Sequence, residues 1–206
     1  MVVIHYTAMQ SAKAACDTLC NPDNEVSAHY LIGEDGSLFN LVPEDQRAWH
    51  AGAGRWGDVT DINSRSIGIE LANTGFAPFA APLMDTLEAV LGDILQRHAI
   101  PVQRVIGHSD MAPGRKIDPG PRFDWRRLAR SGLAIWPDPQ DSAPPSDFRT
   151  LMQTVGYSAD VEDDVLLSAL RLRFRPRKTG QLDETDMAII TDLARRFPVD
   201  ATAPTA

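Results

Sequence analysis

Three short apolar runs, separated by helical patterns and one hairpin, constrain the fold of this chain more than any other feature. The runs are VVIHYT (2–7), RSIGIELAN (65–73) and RVIGH (104–108). Between them lie a hairpin pattern, AHYLIGEDGSLFNLV (28–42), and an amphipathic helix pattern that begins at Pro82. Strands that alternate with helices and include one hairpin predict an α/β fold, with a mixed central β-sheet flanked by helices.

A proline-rich stretch divides the chain. IWPDPQDSAPPSD (135–147) holds four prolines and has no apolar periodicity, which is typical of a linker. Three helical patterns follow it. We therefore expect a medium-sized domain at 1–134, a linker at 135–147 and a small three-helix domain at 148–198, with a frayed tail over 199–206.

The charge and cysteine content exclude several classes of protein. The net charge of −8 over 206 residues argues against a nucleic-acid-binding protein and against binding to anionic membranes. The sequence contains no run of about 18 apolar residues, so no transmembrane helix is predicted. Cys16 and Cys20 are the only two cysteines, so a disulfide framework is excluded; buried, reduced thiols are expected, with a redox or metal pair as the alternative.

The start of the chain bears on its location. No signal peptide is visible, so the chain as written predicts a cytoplasmic protein. However, the chain opens directly on VVIHYT, which has the pattern of a strand interior. A leader lost from the N-terminus would instead predict a periplasmic or outer-membrane-associated protein.

Polar, chemically capable side chains follow the apolar runs. His5 follows VVI, Glu70 follows SIGI and His108 follows VIG, and Asp118 comes ten residues after His108. A buried, hydrogen-bonded histidine is the ordinary structural alternative for each of these taken alone. Two imidazoles and one carboxylate are also a ligand set for catalytic zinc, which leaves a fourth position for water. Together they suggest a metal site.

The segment GHSDMAPGRKIDPGP (107–121) carries two of these residues. Its three prolines and three glycines exclude a helix and withhold donors from a sheet. It is either a stiff, solvated surface loop or a rigid frame that fixes a few side chains, and its own sequence leaves both interpretations open.

Five motifs in a fixed order resemble those of a known family. VVIHYTAM, VSAHYLIGEDG, RAWHAG, SIGIELAN and HSDMAPGRKIDPGP are similar to the motifs of zinc-dependent N-acetylmuramoyl-L-alanine amidases, in particular the anhydro-muropeptide amidases. The resemblance covers residues 2 to about 130. It implies the fold shared by phage lysozyme-like amidases and peptidoglycan recognition proteins. The tail, with VGYSADVEDDVLLSALRLRFRP, is similar to the three-helix peptidoglycan-binding module.

The resemblance implies a role for each site residue. It gives zinc to His5, His108 and Asp118, makes Glu70 the general base, and makes Lys116 the residue that stabilises transition-state charge. The reaction implied is hydrolysis of the amide between the lactyl group of (anhydro-)N-acetylmuramic acid and L-alanine, in peptidoglycan turnover or recycling. An extended backbone would point the side chains of Lys116 and Asp118 to the same side.

The remaining expectations concern partners and substrate contacts. His50 is expected to face the substrate, and Arg65 and Asn73 to hold peptide carboxylates or sugar. The expected partners are peptidoglycan fragments (anhydro-muropeptides) or the sacculus, bound by a monomer. The alternatives are a catalytically weak peptidoglycan-binding protein and a phage-like lytic amidase acting on intact wall. A series of basic residues is expected on a solvated helix face: Arg171, Arg173, Arg175, Arg177 and Lys178.

Overall fold

The computed structural model describes residues 1–200 and is built around a five-stranded sheet. The strands are β1 (Val2–Tyr6), β2 (Tyr30–Ile32), β3 (Leu38–Asn40), β4 (Ile67–Leu71) and β5 (Val105–Gly107). Their order across the sheet is β3-β2-β4-β1-β5. Only the hairpin pair β2 and β3 is antiparallel, and the other three pairs are parallel. The predicted mixed sheet is confirmed.

Seven α-helices accompany the sheet within residues 1–200. They are α1 (Ala12–Leu19), α2 (Ala81–Arg97), α3 (His108–Met111), α4 (Trp125–Arg130), α5 (Phe148–Val155), α6 (Asp163–Phe174) and α7 (Glu184–Arg196). Polar caps fix three of their starts: the side chains of Ser11, Asp124 and Asp183 accept from the amides of Ala14, Arg127 and Asp186, respectively. None of the helices within residues 1–200 is long and apolar enough to cross a lipid bilayer.

The helix α3 corrects one expectation. The segment 107–121 was predicted to contain no helix, yet His108–Met111 forms one helical turn. Pro113 lies after this turn, so its missing N–H removes none of the turn's hydrogen bonds. Pro119 follows a cis peptide bond from Asp118.

The two faces of the sheet pack against different layers. Because side chains alternate along a strand, β1 sends Val2 and Ile4 to the face covered by α2, where they meet Leu83 and Leu87. Val3 points to the other face and joins the apolar cluster that contains α5, α6 and α7. His5 has the same parity as Val3 and therefore lies on the second face.

The C-terminal helices share that cluster with the sheet. Ile106 and Trp56 from the first part of the chain belong to the same core as Met152, Leu166 and Ile190. This core extends across the predicted linker. The division into domains at 1–134 and 148–198 remains a prediction. The two parts pack extensively against each other in this shared core.

Three smaller expectations are corrected. Arg171 and Arg173 are only 5% and 4% exposed, so they do not lie on a solvated face. Val199 is buried and its amide donates to the Thr154 carbonyl oxygen, so it does not belong to a frayed tail; positions 201–206 lie outside the described residues. Cys20 is exposed rather than buried, and its Sγ lies 4.0 Å from that of Cys16, so no disulfide joins the two residues.

Candidate active site

The topology brings the three predicted strand ends together. His5 on β1 is the direct neighbour of Glu70 on β4, and Ile4 is the neighbour of Gly107 on β5. His108 therefore follows β5 level with His5. Since parallel strands end at the same edge of a sheet, the three polar side chains converge at one edge, as ligand sites do in α/β folds.

Asp118 completes a tight triangle with the two histidines. His5 Nδ1 lies 3.0 Å from His108 Nδ1 and 2.9 Å from Asp118 Oδ2, and His108 Nδ1 lies 3.0 Å from the same oxygen. All three residues are buried. The Ser109 amide donates to the Asp118 carbonyl oxygen (2.9 Å), which ties the return of the loop to the start of α3.

The hydrogen bonds of the remaining ring nitrogens fix both histidine tautomers. His108 Nε2 lies 2.8 Å from the Ala51 carbonyl oxygen, which can only accept, so Nε2 carries the proton. The Ser66 hydroxyl donates to the Ile62 carbonyl oxygen (2.6 Å) and accepts from His50 Nε2 (3.3 Å). His50 Nδ1 then accepts from His5 Nε2 at 3.0 Å.

Both Nδ1 atoms are consequently unprotonated and point at the carboxylate. Burial lowers the pKa of His5 to about 4, so this ring is neutral near pH 7. Three lone pairs within 3.0 Å of one another repel unless a cation lies between them. The triangle can therefore hold a metal ion.

Glu70 lies beside this triangle with one oxygen unpaired. Its Oε2 is inaccessible to solvent and has no hydrogen-bond partner among residues 1–200. Burial, assisted by the charge of Asp118, raises the pKa of Glu70 to about 8, although Lys116 opposes the shift. An orphaned carboxylate with a raised pKa next to a metal-competent cluster is typical of a general base.

A cleft of about 580 Å³ opens over these residues, within the size range of small-ligand sites. Glu70, Lys116, Asp118 and both histidines of the triangle line it. Lys116 is exposed, so its ammonium is free to meet a ligand. The remaining lining is mainly apolar and includes Met9, Leu19, Val26, Trp49 and Ile117.

The predicted substrate contacts fare differently. His50 lines the cleft, but both its ring nitrogens are engaged within the protein, one of them behind His5. Asn73 is buried, and its side-chain amide holds the loop that follows β4 through Gly75 and Ala77. Arg65 precedes β4 and lies at the opposite end of the strand from Glu70, beside a different depression. Neither position supports a contact between Asn73 or Arg65 and a substrate in the cleft.

Two site residues were missed by the sequence reasoning. Arg115 donates from Nη2 to the Ala51 carbonyl oxygen (2.8 Å), the same oxygen that orients His108. Trp49 is 53% exposed on the cleft wall. Both residues lie within motifs named above, RAWHAG and HSDMAPGRKIDPGP, but only the folded chain brings these motifs together.

Comparison with known proteins identifies the family of this chain. Residues 1–121 match the N-acetylmuramoyl-L-alanine amidase family Amidase_2. The amidase AmiD of Escherichia coli K12 is 36% identical over 97% of this chain and 84% of its own length. The 1,6-anhydro-N-acetylmuramyl-L-alanine amidase AmpD of Enterobacter cloacae is 43% identical over 50% of this chain and 55% of its own.

The solved structures give the same result. The structure of E. coli AmiD in complex with anhydro-N-acetylmuramic acid-L-Ala-D-γ-Glu-L-Lys superimposes with a TM-score of 0.87 and 32% identity, covering 96% of this chain and 89% of that one. The predicted resemblance is confirmed, and so is the predicted fold class. This chain belongs to the N-acetylmuramoyl-L-alanine amidase family.

Proposed function

We propose that this enzyme is a zinc-dependent amidase that hydrolyses the bond between the lactyl group of (anhydro-)N-acetylmuramic acid and the L-alanine of the stem peptide, in peptidoglycan turnover or recycling. One observation carries the proposal: three lone pairs of His5, His108 and Asp118 converge beside an unpaired Glu70 oxygen in an open cleft. The complex of AmiD with an anhydro-muramoyl tripeptide supports the choice of substrate.

The donor set suits zinc. Two imidazole nitrogens and one carboxylate oxygen form a three-ligand set that leaves a coordination position open. When bound, zinc supplies Lewis acidity toward the scissile carbonyl and makes a water molecule more acidic. His50 and Ala51 orient the two histidines from behind, as hydrogen-bond acceptors commonly do for metal-binding imidazoles.

Glu70 is the residue that moves the proton. Its carboxylate takes a proton from the attacking water as oxygen adds to the lactyl carbonyl carbon. The same carboxyl group then gives that proton to the departing nitrogen as the C–N bond breaks. The products are a lactyl carboxylate and a peptide with a free L-alanine amine.

Lys116 supplies positive charge where the carbonyl oxygen becomes negative. Its exposed side chain lies on the cleft wall with Asp118, and the loop between α3 and Asp118 holds both. An ammonium group stabilises an oxyanion more strongly than it stabilises the neutral carbonyl of the substrate. Its contribution is therefore to the transition state.

The Lys116→Ala variant tests this role. We expect kcat to fall roughly 10²- to 10³-fold with KM little changed, because the lost interaction strengthens only as the charge develops. Zinc content should equal that of the wild type, since Lys116 is not one of the ligands. Steady-state kinetics on an anhydro-muramoyl tripeptide, with Lys116→Arg as the charge-retaining comparison, measures the effect. A rise in KM at unchanged kcat would instead make Lys116 a substrate-binding residue only.

The reaction itself is tested by hydrolysis in ¹⁸O-labelled water. We expect anhydro-N-acetylmuramoyl-L-Ala-D-γ-Glu-L-Lys to yield the free tripeptide and an anhydro-N-acetylmuramic acid that carries one ¹⁸O in its lactyl carboxylate, as measured by mass spectrometry. Label in the peptide product, or binding without hydrolysis, would contradict the proposal. Parallel digestion of intact sacculi separates a recycling enzyme from a lytic one; a cytoplasmic, periplasmic or outer-membrane location remains a prediction.

A further inference from the structure

The carboxylate of Asp110 lies two residues from His108 and is fully engaged. Asp110 is 1% exposed. Its Oδ2 accepts from the Gly107 amide at 2.8 Å and from Arg173 Nη1 at 2.8 Å, while its Oδ1 accepts from the Tyr157 hydroxyl at 2.7 Å. Gly107 and Asp110 therefore flank His108 and are tied to each other across it.

The two side-chain donors come from the C-terminal helices. Arg173 lies on α6 and Tyr157 lies just after α5, and both are buried. The Asp110–Arg173 ion pair spans 63 positions of the sequence. A buried pair of this kind costs desolvation, and removal of one partner leaves an uncompensated charge in the core.

Arg173 also holds the other end of the segment that carries His108. Its Nη2 donates to the Val105 carbonyl oxygen at 3.2 Å, and its guanidinium lies 3.9 Å from the centre of the Trp125 ring. One guanidinium thus contacts the start of β5 and the end of the turn that follows it. His108 lies between these two attachment points.

A separate contact reaches the loop between His108 and Asp118. A Cβ atom placed on Gly114 would lie 2.9 Å from Val165 Cγ1 on α6, so helix and loop are in close contact there. The loop that contains Gly57 is attached to the helical region by hydrogen bonds. The Gly57 amide donates to the Gly156 carbonyl oxygen, and the Ser158 hydroxyl donates to the Gly57 carbonyl oxygen. The helical region covers the segments that carry the metal ligands on their buried side.

We propose that Arg173 and Tyr157 of the C-terminal helical region are positioning residues for the metal site, which act through Asp110 to hold His108 in its ligand geometry. This inference rests on the metal-binding role given to His108 above. It assigns the helices a function besides any contact with peptidoglycan. They complete the frame of the catalytic centre.

The chain provides a matched control for the test. Arg171 lies two residues before Arg173 on α6, is equally buried and is paired with a buried aspartate, Asp186, at 3.1 Å from Nε to Oδ2. Its other acceptors, the carbonyl oxygens of Gly180 and Gln181, also belong to the helical region. Arg171→Met and Arg173→Met therefore remove the same charge from the same helix, but only Arg173 contacts the segment that carries His108.

Two measurements on the full-length chain separate positioning from stability. The first is the zinc dissociation constant, from competition with a chromogenic chelator; the second is the thermal unfolding midpoint of the metal-free protein. We expect both variants to lower the midpoint and only Arg173→Met to weaken zinc binding, by roughly tenfold, the low end of the range for residues that support metal ligands. Arg173→Lys should restore part of the affinity.

Tyr157→Phe provides the same test with little risk to folding. It removes one of the three hydrogen bonds to Asp110 and leaves the ring in place, so we expect a smaller, severalfold loss of zinc affinity. Equal zinc affinities in the wild type, Tyr157→Phe and Arg173→Met would overturn the positioning role, as would equal losses in Arg173→Met and Arg171→Met. A wild-type protein that binds no zinc would contradict the proposed metal site itself.

Discussion

The His108→Ala variant is expected to lose stoichiometric zinc and measurable amidase activity together. His108 supplies one of the three converging donor atoms, and a two-ligand remnant of a site that already has an open position does not retain the ion. The Ala51 carbonyl oxygen keeps a donor in Arg115, so this substitution leaves the surrounding backbone bonds in place. Elemental analysis of the purified protein and rate measurement on a muramoyl-peptide test both losses.

A histidine far from the cleft provides the control. His98 caps the end of α2, is exposed and lies 2.7 Å from Glu44. His98→Ala should keep both zinc and rate. Chelation of the wild type should likewise abolish activity, and added zinc should restore it. Full activity in protein shown to be free of metal would rule out the metal hypothesis.

The convergence of His5, Glu70 and His108 could be predicted because it depends on local patterns and on one rule of sheets. Each residue ends or follows a short apolar run, and parallel strands finish at the same edge. The position of Asp118 required the family resemblance, since the nine residues between His108 and Asp118 include several turns and have no predictable path. The short distances among the three donor atoms could not be predicted from the sequence, because they depend on the folded structure.

The roles of Arg171 and Arg173 could not be predicted from their neighbours. Alternating arginines near the end of a helix are usually solvated, and periodicity gives no information about a partner elsewhere in the chain. Here Asp110, 63 positions away, and Asp186 neutralise them in the interior. The ion pair between Arg173 and Asp110 joins the parts of the chain before and after the proline-rich stretch. A linker pattern in the sequence therefore does not show that the two parts have separate cores.

The location of Arg65 illustrates a different limit. In the sequence it lies five positions before Glu70, which suggested a shared site. A five-residue strand, however, separates its two ends by roughly 13 Å at about 3.3 Å per residue. Proximity to Glu70 in the sequence therefore did not indicate a shared site, because Arg65 lies at the amino end of β4. Glu70, at the carboxyl end, lies in the cleft.

The Glu70→Gln variant should retain zinc and lose rate by roughly 10²- to 10⁴-fold. Glutamine keeps the shape and the hydrogen-bonding reach of the side chain but cannot take the water proton. Glu34→Gln, in the exposed turn between β2 and β3, is the matched control and should change neither quantity. If Glu70→Gln is isolated without zinc, Glu70 supports the ligands; if it keeps full rate, Glu70 is not the base.

The dependence of rate on pH provides an independent test of the same assignment. Burial raises the pKa of Glu70 to about 8, so without a metal ion in the triangle the group is protonated, and inactive as a base, below that pH. A divalent ion in the triangle favours the carboxylate and lowers this pKa. We therefore expect kcat/KM of the zinc enzyme to rise with pH along a limb whose midpoint lies below 8. Glu70→Gln should lack this limb, whereas Lys116→Ala should keep it and shift its midpoint upward, because Lys116 opposes the raised pKa. A limb that persists unchanged in Glu70→Gln would place the titrating base on another residue.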